Sequence, residues 1–82
     1  MEYNVNSFCV LYLIESSRGL ETLSAFKYTA MPPLPEKGKE FRLIRDNLAM
    51  RYKILDFLGQ AYSVDADSGC MQSFTYLVQA LV

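Results

Sequence analysis

The residues able to do chemistry in this chain are few, and they stand without the companions chemistry needs. There are two cysteines, Cys9 and Cys70, and no histidine. Histidine is the side chain that titrates nearest neutral pH and the commonest metal ligand. Its absence removes Ser-His-Asp and Cys-His arrangements within the chain and the usual zinc sites. Cys9 lies in the unbroken apolar run from Phe8 to Ile14, where a free thiol packs as a small hydrophobe. A single bridge to Cys70 is the alternative. Cys70 follows a turn, but no basic group stands near it in sequence to activate it as a nucleophile. No enzyme, metal or cofactor is expected.

Two short motifs and one charged stretch remain. Asp65-x-Asp67-x-Gly69 has the opening spacing of a calcium loop, but the twelfth position, which should hold a bidentate carboxylate, is Tyr76. A hairpin turn with the Asp side chains capping the backbone is the simpler expectation. Pro32-Pro33-Leu34-Pro35 matches a PxxP ligand. Between two strands it reads as a rigid extended connector. From Lys37 to Lys53 six cations face only Glu40 and Asp46, although the whole chain carries a net charge of −1. A hairpin there would bring Arg42 near Arg51 or Lys53 with Phe41 and Tyr52 interleaved. Those five residues are the candidate surface for single-stranded nucleic acid, through phosphate contacts and stacking. A solvated basic face that keeps a sheet edge from pairing is the competing expectation.

The elements that must position these residues read as strands. Of 82 residues, 51% are hydrophobic and 21% charged, which suits one small globular domain over residues 1–82. Residues 3–15 are rich in β-branched and aromatic side chains. Phe8, Val10, Tyr12 and Ile14 point one way; Cys9, Leu11 and Leu13 point the other. Leu20, Leu23 and Phe26 sit at helical spacing behind Ser17, which allows a short helix over 17–26. The alternation of Phe26, Tyr28 and Ala30 favours a strand over 23–31 instead. A short strand covers 40–45, Asp46-Asn47 makes a turn, and a long strand covers 49–64 with a bulge or bend near Gly59. The last strand runs from Gln72 to Val82. It places Phe74, Tyr76, Val78, Ala80 and Val82 on one face and Leu77 and Leu81 on the other. About five strands joined by turns predict a mainly β fold, a small antiparallel barrel or strongly bent sheet.

From Met31 onward the order of features is PPLPEKGKEF, a short strand, the Tyr52-Lys53-Ile54 strand, the Asp-x-Asp-x-Gly turn and an alternating last strand. That order resembles small bacterial and phage domains with an SH3-like β-barrel. The resemblance implies the barrel and carries no catalytic residues.

The functional expectation comes from surplus apolar surface. A first strand apolar on both faces, with Leu77 and Leu81 on the second face of the last strand, predicts an interface of Cys9, Leu11, Leu13, Leu77 and Leu81. The simplest partner is a second copy in a twofold dimer. A small inhibitor that masks another protein is the alternative in the same class. No positively charged leader opens the chain, and seven apolar residues are too few for a membrane helix. A cytoplasmic location without membrane contact is expected.

Overall fold

A computed structural model gives the fold and describes residues 4–65 and 69–81. Five strands follow one another: β1 (Val5–Ser16), β2 (Gly19–Tyr28), β3 (Glu40–Arg45), β4 (Leu48–Asp65) and β5 (Gly69–Leu81). They form one sheet in the order β2-β1-β5-β4-β3, curled into a half-barrel. The described residues contain no helix.

Local sequence explains the hairpins. Between β1 and β2 the Ser16 hydroxyl accepts the Arg18 N–H at 3.1 Å and donates to the Gly19 carbonyl at 3.2 Å. Asp46 and Asn47, with φ of 51° and 64°, make the two-residue turn between β3 and β4. Positive φ at both positions matches the right-handed twist of the flanking strands, and short Asx side chains tolerate it.

The helix allowed over 17–26 is absent, and the strand expected over 23–31 is displaced to Gly19–Tyr28. In the β1–β2 ladder Tyr12 faces Ser24 and Leu13 faces Thr22, so Leu23 is an extra residue. The bulge puts Leu23 and Phe26, three apart, on the concave face, a spacing that imitates a helix, while Leu20, opposite Glu15, falls on the convex face. The same device explains β4. Its register to β5 shifts between Ile54 and Asp56 and again between Phe57 and Gly59, and Gly59 takes φ 141°, a conformation open chiefly to glycine.

One pairing departs from the antiparallel expectation. β1 and β5 run parallel, with Val10 opposite Phe74, Tyr12 opposite Tyr76 and Ile14 opposite Val78. These pairs lie on the concave face and continue across β4 to Ile54, opposite Val78. Ile54 and Val78 are 2% and 1% exposed and anchor the core. The connector over 29–39 joins β2 and β3, which lie at opposite edges of the sheet. It therefore crosses the concave opening. Pro33, Leu34 and Pro35 border a pocket of about 420 Å³ with Tyr12, Phe41 and Ile54. The end of the connector is tied down. Gly38 N–H donates to the Ile54 carbonyl at 2.8 Å, and Ile54 N–H donates to the Lys39 carbonyl at 2.9 Å. The PxxP motif is thus a strap built into the fold.

One curled sheet and a strap leave much surface open. The accessible area is 6175 Å², against about 5,000 Å² for a folded monomer of this mass. The radius of gyration is 14.1 Å, against about 12 Å for a compact chain of this length.

Candidate functional site

The convex face carries the leucines expected at an interface. Leu13 lies opposite Leu77 and Leu11 opposite Thr75 in the central β1–β5 ladder, so Leu11, Leu13 and Leu77 form one patch. All three are half-buried. Leu81 is further along β5, opposite Arg51, beside the patch and not within it. Cys9 shares the face, opposite Ser73, but is only 4% exposed. Its own chain covers it, so it offers no contact surface. Cys70 is also buried and unbridged. It lies three residues before Ser73 on an uninterrupted strand, which puts it on the opposite face from Cys9. The alternative of a Cys9–Cys70 bridge is thereby closed, because the sheet separates the two sulfurs.

The basic and aromatic residues of the candidate nucleic-acid surface are brought together by the β3–β4 hairpin and then divided by the strand alternation. Arg42 lies opposite Arg51, and Phe41 opposite Tyr52. The two rings stack at 5.6 Å on the concave side, where Tyr52 is buried. Arg42 and Arg51 occupy the convex side with Lys53. Arg51 is paired with Glu40 at 3.1 Å, and Glu40 shares a shallow groove of about 250 Å³ with Phe41, Arg42 and Arg51. A phosphate there would meet a carboxylate, and Tyr52 lies in the core, beyond the reach of a base. The five residues meet in sequence but do not form one stacking platform.

The described residues hold no group of three or more His, Cys, Asp or Glu able to bind a metal. Of the Asp65–Gly69 motif, residues 66–68 lie outside the described residues. No helix among the described residues is long and apolar enough to cross a membrane.

The concave face is tuned by burial. Tyr12 and Tyr76 both have phenol pKa values above the ordinary value. For Tyr12 the cause is first desolvation and then the neighbouring phenols of Tyr28 and Tyr76; for Tyr76 it is desolvation. Both phenols stay neutral well into alkaline solution, which suits packing rather than proton transfer.

Sequence reasoning missed the outer edge of β4. Residues Leu48–Lys53 pair with β3, and Ile54 pairs with the connector. Beyond that, β4 pairs only with β5 among the described residues. Phe57, Leu58, Tyr62 and Val64 on this stretch are 47%, 44%, 59% and 52% exposed, more open than any of the convex leucines. The available signal was length, because β4 outruns β3 by many residues. A network fixes the face of this stretch: the Gln72 side-chain amide donates to Gln60 Oε1 at 3.1 Å and to Tyr62 Oη at 3.2 Å. No family model matches the chain, and it matches no curated protein and no solved structure.

Proposed function

We propose that the protein is a non-catalytic interaction module of the cytoplasm that works by associating with itself, most simply as a twofold dimer. The observation that carries this reading is the surplus of roughly 1,200 Å² between the accessible area of 6175 Å² and that of a compact monomer of equal mass. A standard interface covers about 800 Å² on each partner, so association of two copies accounts for most of the surplus. Large exposed apolar side chains support it: Ile44, Leu48 and Met50 at the β3–β4 turn, and Phe57, Leu58, Tyr62 and Val64 on β4. A chain without histidine and with its carboxylates dispersed supports binding over catalysis.

Sedimentation equilibrium from micromolar to millimolar protein tests the reading. A mass rising toward twice that of the chain is expected. A monomer mass throughout the range overturns it.

A further inference from the structure

We infer that the outer edge of β4 beyond Gly59 is the association surface, and that a second copy pairs with it strand to strand, antiparallel about a twofold axis near Tyr62. The inference rests on the self-association proposed above and specifies its surface.

The backbone supplies the first argument. The β3 ladder ends at Lys53, and the connector's pairing with β4 ends at Ile54. The Asp56 carboxylate then accepts the Phe57 N–H at 2.9 Å, and the second bulge passes at Leu58. From Gly59 to Val64 the strand is regular, paired to β5 on one side and open on the other among the described residues. A row of unpaired donors and acceptors is a template for another strand.

Charge decides between the edges. Proteins protect free edges with charged side chains. The β3 edge carries Glu40, Arg42 and Arg45, and the β2 edge carries Glu21 and Lys27. The apolar β3–β4 turn is likewise flanked by Arg45, Asp46 and Arg51. Between Asp56 and Asp65, β4 has no charge, no proline and four large exposed apolar side chains. The uncharged run of the β2 edge, Thr22–Phe26, is shorter and is broken by the bulge at Leu23, so β4 has the longest unguarded edge among the described residues.

The same neutrality selects the occupant. In a twofold antiparallel pair centred on Tyr62, Tyr62 meets its own copy, Ala61 meets Ser63 and Gln60 meets Val64, so a charge on this stretch would be held against a neutral residue with its symmetry copy close by, at a penalty. The segment Gln60-Ala61-Tyr62-Ser63-Val64 meets itself without such a penalty, and β-branched and aromatic residues favour the cross-strand contact. Two five-stranded sheets then join into one of ten strands.

The test combines substitution with exchange. Ala61 and Val64 are exposed and lie outside the core, so Ala61→Lys and Val64→Lys are expected to retain the wild-type circular dichroism. Each is expected to raise the dimer Kd at least about tenfold, while Leu11→Lys on the convex face changes it less than about threefold. In the unaltered chain, amide exchange over residues 60–64 is expected to slow as the concentration passes through the Kd. A dimer that persists in both β4 variants, or amides over 60–64 that exchange at one rate at all concentrations, overturns this surface. Loss of the dimer on Leu11→Lys would give the interface to the convex face and leave self-association standing. A chain that is monomeric throughout removes both.

Discussion

The rings of Tyr12 on β1 and Phe41 on β3 stack with centroids 4.6 Å apart and planes 28° from parallel, although β5 and β4 lie between those strands in the sheet. Only a strong curl brings them together, and the contact holds the curl in place. Phe41 also stacks on Tyr52 at 5.6 Å, and Tyr12 meets Phe26 edge-on at 6.0 Å. One ring ladder therefore reaches from the β2 edge to β4.

Phe41→Ala and Tyr12→Ala are each expected to cost about 2–4 kcal/mol, near the lower end for buried aromatics because both rings are half-buried. The double variant should lose less than the sum by about 1 kcal/mol, the usual coupling of an aromatic pair. Urea unfolding of the four proteins checks this. Strict additivity would mean that the stack does not hold the curl.

Alkaline pH should loosen the same contact. The folded-state pKa values of Tyr12 and Tyr76 are raised, so the folded chain holds its phenol protons more tightly than the unfolded chain. Stability is then fully present below the ordinary tyrosine pKa of about 10 and falls as pH rises above it. Tyr12→Phe is expected to flatten that fall. Thermal melts between neutral pH and strongly alkaline solution, with and without the substitution, read the difference.

The Asp46-Asn47 turn sets the β3–β4 register through two residues of positive φ. Asn47→Gly is expected to stabilise by a few tenths to about 1 kcal/mol. Asn47→Val is expected to destabilise by about 1–2 kcal/mol, since a β-branched residue resists this conformation. Chemical denaturation of both variants checks the opposite signs.

Cys9 and Cys70 are both buried and lie on opposite faces. An aromatic disulfide reagent should label them at the rate of global opening, slow in buffer and immediate in denaturant. Air-oxidised protein should show no internal bridge by non-reducing peptide mapping. A bridge formed without loss of structure would contradict the register of β1 against β5.

Much of this fold is legible in the residue order. The alternation of Phe8, Val10, Tyr12 and Ile14 against Cys9, Leu11 and Leu13 determined the two faces of β1, because side chains along a strand have a period of two. Glu40–Arg45, the Asp46-Asn47 turn and the slip at Gly59 were equally readable, being local matters of propensity and turn chemistry. The helical spacing of Leu20, Leu23 and Phe26 left a helix open beside the favoured strand, because the extra residue Leu23 has no glycine to mark it and shows itself only against β1. The tertiary structure alone decided that the first and last long strands lie side by side in parallel, that Tyr52 turns inward while Arg51 turns outward, and that no other strand among the described residues covers the outer edge of β4 past Ile54. Pairing partners far apart in sequence are selected by the packing of the whole sheet, and no short window of residues contains that information.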